Sequence, residues 1–88
     1  MAEKAIWEVI GGKDKGGIMV REGRHLRSKE ATERLSFAAF VEELELVGER
    51  LHYRLMTGSG PETGWVSLNI AGKDLLKLGP LEIEVESS

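Results

Sequence analysis

The residue types that most often carry chemistry are few in this chain and widely spaced. The two histidines, His25 and His52, lie far apart, and neither stands in a metal-ligand spacing. Cysteine is absent, which excludes disulfides, thiolate ligands and a thiol nucleophile. Ser67 follows Gly-Trp-Val and is not part of a G-x-S-x-G nucleophile elbow. We therefore expect no catalytic residue, no metal site and no cofactor.

The glutamates and the glycine-rich segment near the start add no catalytic pattern. The glutamates are abundant but fall on predicted exposed strand faces, whereas general acid–base catalysis needs a buried, converging pair. Residues 11–17, GGKDKGG, form a glycine-bounded loop without the GxxxxGK[ST] spacing of a phosphate-binding loop, and no helical pattern follows. We expect that the protein is not an enzyme.

Aromatic side chains are the remaining candidates for a functional surface, because a groove lined by aromatics can hold an extended peptide. Core packing is the more frequent fate of aromatics in so small a domain. The aromatic residues considered are Trp7, Phe37, Phe40, Tyr53 and Trp65. Tyr53 lies on a strand whose alternate residues, His52 and Arg54, point away from the predicted core. The predicted binding residues are Tyr53, Trp65, Trp7, His52 and Arg54.

Composition and charge limit the class of protein. With 41% hydrophobic and 31% charged residues, the chain has the composition of a soluble globular domain. Its net charge of −3 gives no basic surplus of the kind that nucleic-acid binders show, so nucleic-acid binding is not expected. The basic segment Arg21 to Lys29 is expected to be a solvated face, with docking of an acidic partner or self-association as the alternative. No apolar run is long enough to cross a membrane and the first residues are no secretory signal, which favours an intracellular location.

Most of the segments that would position these residues have the sequence pattern of short strands. Strands are predicted over Ala5 to Ile10, Ile18 to Val20, Leu51 to Met56 and Gly64 to Leu68, the last after a glycine-rich turn. Between them, residues 22–36 are expected to pack Leu26, Ala31 and Leu35 over the sheet, with Ser28 capping a single helical turn.

Residues 30–47 allow two interpretations. Phe37, Phe40, Val41, Leu44 and Val47 fall at helical spacing. The alternative is a strand from about residue 39 to 46 with a bulge near residues 42–43 and a hairpin turn at residue 48. Topology favours the strand, because a short turn can join it directly to the next strand.

The last part of the chain is predicted as follows. Residues 69–72 form a turn with Ile70 pointing inward, and residues 73–78 form a one-turn helix or the closing strand. Residues 81–85, LEIEV, alternate and could pair as an edge strand or belong to a tail.

Three segments, in this order, resemble the bacterial-type Src-homology-3-like (SH3-like) barrel. IMVREG at residues 18–23 looks like its "NVRSG" strand, FVEELELVGERLHYRL at residues 40–55 takes the place of its central hairpin, and TGWVSL at residues 63–68 that of its "GWV" strand. The chain is also similar to an uncharacterised repeat of dinoflagellate-type proteins. The resemblance covers about residues 7–77. It implies an all-β fold: a small SH3-like barrel of five or six short antiparallel strands with at most one short helical turn.

The resemblance does not imply a known ligand for this chain. Eukaryotic members of this class bind polyproline segments through an ALYDY-type strand and a tandem tryptophan pair, and this chain has neither. We expect one domain over residues 1–88, with a core over about 5–78 and a last edge strand or tail at 79–88. The predicted function is a non-catalytic protein-interaction module that binds a peptide or a neighbouring domain. The alternative is a structural or regulatory appendage, or a homo-oligomerising domain, with no separable ligand.

Overall fold

The computed structural model describes residues 5–25 and 27–79, and this part of the chain is nearly all-β, as predicted. One 3-10 turn, Lys13–Lys15, interrupts the strands. The seven strands are β1 (Ile6–Val9), β2 (Phe40–Val47), β3 (Arg50–Thr57), β4 (Thr63–Ser67), β5 (Asn69–Ile70), β6 (Lys73–Asp74) and β7 (Leu76–Leu78).

Five of the strands form one antiparallel sheet in the order β4-β3-β2-β1-β7, and β5 and β6 form a separate two-stranded hairpin. The two edges of the large sheet approach each other at one end. There the carbonyl of Leu68, directly after β4, accepts hydrogen bonds from the amides of Leu75 and Leu76 at 2.7 and 3.2 Å, and Leu76 begins β7. The sheet therefore curls towards closure at this end.

The ambiguous segment at residues 30–47 contains a strand and no helix. β2 pairs with β1 on one side and β3 on the other, so both rows of its backbone groups enter a ladder. Gly48, with φ 62°, takes the left-handed position in the turn that joins β2 to β3. The register shifts between Glu43 and Glu45, next to the predicted bulge. Long-range pairing thus outweighs the local helical pattern.

The core lies on the inner face of the large sheet. It contains the alternate residues of the strands, as period-two patterning predicts, together with Leu35 from the segment at residues 22–36. Ala31 packs against this core, whereas Leu26 lies outside the described residues. The buried hydrophobic residues are Val9, Ile18, Val20, Leu35, Ala39, Val41, Leu51, Tyr53, Val66 and Leu76.

The prediction for residues 69–78 was partly wrong. Ile70 does not point inward: it belongs to β5 and is 60% exposed. The turn is formed by Ala71 and Gly72, whose φ angles of 49° and 82° are both positive, as in a type I′ hairpin. Ile70 pairs with Lys73 in this separate hairpin and not within the large sheet, which leaves its side chain at the surface. Residues 73–78 form strands β6 and β7, which agrees with the second of the two interpretations.

Two further predictions can be compared with the structure. Ile18 and Val20 are buried as expected, but this segment pairs only through isolated bridges, among them Ile18 with Leu35. The helical turn lies at Lys13–Lys15 and not after Ser28. The predicted edge strand at residues 81–85 lies outside the described residues. Within the described part of the chain, no helix is long and apolar enough to cross a membrane.

Candidate functional site

Strand pairing brings three of the five predicted binding residues to the outer face of the sheet. Along β3, Leu51 and Tyr53 are buried, so the alternate residues His52 and Arg54 project from the opposite face. Trp65 pairs with His52 across the β3–β4 ladder. Its neighbours on β4 are both buried, which turns the Trp65 side chain to the same outer face.

The rings of His52 and Trp65 are stacked, with centroids 4.7 Å apart and planes inclined by 7°. Both side chains are half-buried. Thr63 Oγ1 lies 3.2 Å from His52 Nε2 and donates to the Tyr53 carbonyl at 2.8 Å. Since its one hydrogen is used there, Thr63 accepts from His52, which places a proton on Nε2. We call the stacked pair of His52 and Trp65 the aromatic platform.

Arg54 borders this platform and is held by an ion pair. Its Nε and Nη2 both donate to Oε1 of Glu42, at 2.9 and 2.7 Å. Glu42 lies opposite Arg54 in the β2–β3 ladder, and Thr63 lies opposite it on β4. The edge of the aromatic platform therefore carries both charge signs in a fixed arrangement.

The structure places Tyr53 in the core and not on the outer face of the sheet. Its side chain is fully buried, and its hydroxyl donates to the Pro61 carbonyl at 2.9 Å. Burial raises the pKa of Tyr53 well above its ordinary value. Tyr53 occupies an inward-facing position in the alternation of β3, and this position outweighs the tendency of tyrosine to lie at surfaces. Its hydroxyl therefore links the sheet to the loop that precedes β4.

Trp7, another of the predicted binding residues, is also separated from the aromatic platform. It pairs with the buried Val41 and packs against the core, which places it on the inner face of the sheet. Its Nε1 donates to Oε1 of Glu43 at 2.9 Å. Phe37, by contrast, is 43% exposed, and the Lys13 ammonium lies 5.6 Å from its ring centroid.

A cleft with a volume of about 550 Å³ lies farther along the outer face, and sequence reasoning missed it. Its lining includes Arg50 and Ser67, which pair across β3 and β4. The loop at residues 11–17 and the β5–β6 hairpin contribute to the walls. Strand alternation in the sequence predicts that Arg50 and Ser67 point outward. It does not predict that the loop at residues 11–17 and the β5–β6 hairpin lie beside them. We call this feature the cationic cleft.

Arg50 is the most constrained side chain of the cationic cleft. Its Nε donates to the Arg24 carbonyl at 3.0 Å and its Nη1 to Ser67 Oγ. Its pKa lies below the ordinary value, first because burial removes water from the guanidinium and second because Arg21 is a nearby like charge.

Comparisons with protein-family models, with curated proteins and with solved structures found no match. Among residues 5–25 and 27–79, no three histidine or acidic side chains converge in a way that could hold a metal ion. The fold and the two features of its outer face thus define the chain as an all-β domain with an aromatic platform and a cationic cleft.

Proposed function

We propose that this protein is an interaction module, related in form to SH3-like barrels, that binds an extended peptide or a loop of a neighbouring domain over the aromatic platform. The observation that supports this function is the parallel stack of His52 and Trp65, half-buried on the outer face of the sheet. The approach of β4 and β7 at Leu68 supports the barrel relationship.

The platform has the physical properties of a binding surface. A stacked pair presents a broad, rigid apolar face that loses little conformational entropy on binding. Trp65 is not needed to fill the core, because Val66 and Leu51 do so from the inner face. The ion pair of Arg54 with Glu42 supplies a polar rim of the kind that surrounds an apolar hot spot. The occupant is expected to lay an apolar or aromatic side chain, such as proline, on the platform.

Peptide display on the immobilised domain tests this function. The wild-type protein should enrich peptides that share an apolar residue, and Trp65→Ala should fail to retain them. Met56→Ala is the matched control, since it removes an apolar side chain that is 51% exposed on the same strand as His52. Equal retention by the wild type and Trp65→Ala, or loss with Met56→Ala alone, would contradict the proposal.

Self-association is the second candidate function. In the part of the chain that the structure describes, β7 pairs with β1 alone, and Leu78 on this edge is 59% exposed. An edge strand with an exposed apolar residue is a template for pairing with another copy. Sedimentation equilibrium at several concentrations tests this, and Leu78→Lys should remove any dimer that forms. A monomer at all concentrations would exclude self-association through β7.

A further inference from the structure

The cationic cleft concentrates positive charge in a chain whose net charge is −3. Two acids, Asp14 and Asp74, stand against six basic side chains in its lining. Three of the six have polar partners of their own. Arg34 Nη1 donates to the Gly17 carbonyl at 3.2 Å, and Arg21 faces Glu30 at 3.7 Å and donates from Nη1 to the Ser28 carbonyl at 2.8 Å. Arg50 makes the two hydrogen bonds described above. The basic side chains are Lys13, Lys15, Arg21, Arg34, Arg50 and Lys73.

Arg50, which lines this cleft, is incompletely satisfied. Its Nη2 is buried and has no acceptor among residues 5–25 and 27–79. A buried guanidinium donor without an acceptor is costly, and a second guanidinium nearby adds like-charge repulsion. Arg21 is that second charge, and it lines the same cleft. An anion in the cleft would relieve this electrostatic cost.

The lining also contains apolar side chains. Met19 and Ile70 are 41% and 60% exposed, and both border the cleft together with Leu75. A volume of about 550 Å³ lies within the roughly 300–1,000 Å³ of small-molecule sites and exceeds what a bare inorganic ion would fill. These walls suit a molecule that carries apolar carbon next to its charge.

We propose that the cationic cleft binds a small organic anion, with its carboxylate or phosphate group at Arg50 and its apolar part against Met19 and Ile70. This site shares no lining residue with the aromatic platform, although its Arg21 pairs with Trp65 through backbone hydrogen bonds. The loop at residues 11–17 contributes lysines to the wall and does not act as a phosphate-binding loop, because residues 18–25, directly after it, form no helix.

Chemical-shift titration of the ¹⁵N-labelled protein tests the site with four probes: hexanoate, hexyl phosphate, hexanol and inorganic phosphate. The two organic anions should shift the Arg50 Nε–H signal and the amides of residues 11–17 and 67–75. Hexanol should bind about tenfold or more weakly, as expected for loss of one charge-assisted hydrogen bond. Tighter binding of hexyl phosphate would identify a phosphate as the natural head group, and tighter binding of hexanoate a carboxylate.

Substitutions distinguish the contribution of the Arg50 charge to binding from its contribution to folding. Arg50→Gln should weaken hexanoate binding about tenfold or more, whereas Arg54→Gln, the same change on the same strand but outside the cleft, should alter it less than about twofold. If Arg50→Gln unfolds the domain, Ile70→Glu is the alternative variant for the same binding test. It adds a like charge at an exposed wall position, and should weaken hexanoate to a similar extent.

Three results would overturn the proposal. The first is equal affinity for hexanol and hexanoate, which would mean that the cleft recognises no charge. The second is hexanoate binding that survives both Arg50→Gln and Ile70→Glu. The third is inorganic phosphate binding as tightly as hexyl phosphate, since the apolar walls would then contribute nothing.

Discussion

Replacing Tyr53 with phenylalanine tests whether this residue stabilises the fold instead of contacting a ligand. The side chain is fully buried, and phenylalanine occupies the same space without the hydroxyl, so no cavity forms. The change removes one hydrogen bond of 2.9 Å to the Pro61 carbonyl. Because Pro61 is part-exposed and water can replace the donor, we expect a loss of about 1 kcal/mol in the free energy of unfolding. For a domain of this size, the melting temperature should fall by about 4–8 °C.

The pH dependence gives a second measurement of the same residue. Tyr53 is the single tyrosine of the chain, so tyrosinate absorbance reports on it alone. Burial raises its pKa in the folded state, while in the unfolded chain it titrates near its ordinary value of about 10. The stability that it contributes is therefore complete below pH ~10 and is lost as the pH rises above that value, because the unfolded state then releases the proton first.

Urea denaturation of the wild type and of Tyr53→Phe, repeated from neutral to alkaline pH, provides the assay. The wild type should lose stability above pH ~10 more steeply than the variant, by up to about 1.4 kcal/mol per pH unit. Lysines titrate in the same range but are common to both proteins and cancel in the difference. Tyrosinate formation near pH 10 in a protein that keeps its native circular dichroism would refute the buried assignment, and so would an unchanged stability in Tyr53→Phe.

The remaining predictions concern backbone geometry and surface charge, and urea denaturation checks each of them. Gly64→Ala should cost about 1–3 kcal/mol, since a Cβ there would lie 2.5 Å from Val20 Cγ1; wild-type stability would contradict this packing. Ala38→Gly should stabilise the domain by about 0.5–1 kcal/mol, because Ala38 has φ 72° and glycine tolerates this left-handed conformation; a loss of stability would contradict it. A double-mutant cycle on Glu42 and Arg54 should give less than about 1 kcal/mol and a smaller value at high salt, because Arg54 is exposed. A larger, salt-independent coupling would show that the pair is more important than its exposure implies.

Period-two alternation made much of the fold predictable from the sequence. It identified β3 and β4 within one residue at each end, and it placed His52 and Arg54 on the face of β3 that points away from the core. A strand could be predicted for β2 in place of a helix because the short turn at Gly48 can join two antiparallel strands directly. Ile70 was misplaced because alternation does not show where the sheet ends and a separate hairpin begins.

The site was only partly predictable, for a different reason. Sequence alternation assigns a residue to a face, but pairing across strands requires the register, and the register sets the stack of His52 on Trp65. The same alternation placed Tyr53 inward, yet its aromatic character suggested a binding role. The cationic cleft forms because the loop at residues 11–17 and the β5–β6 hairpin, which are distant in sequence, both lie beside Arg50. No local sequence pattern predicts this arrangement.

The aromatic platform is the central claim, and the two indole N–H signals of the ¹⁵N-labelled protein test it most directly. Trp65 lies on the proposed binding face, while Trp7, hydrogen-bonded to Glu43, lies on the other face and serves as an internal control. On titration with a display-selected peptide, the Trp65 indole signal should shift progressively to saturation while that of Trp7 stays in place. Saturable binding that moves the Trp7 signal and leaves that of Trp65 unchanged would contradict the proposed function.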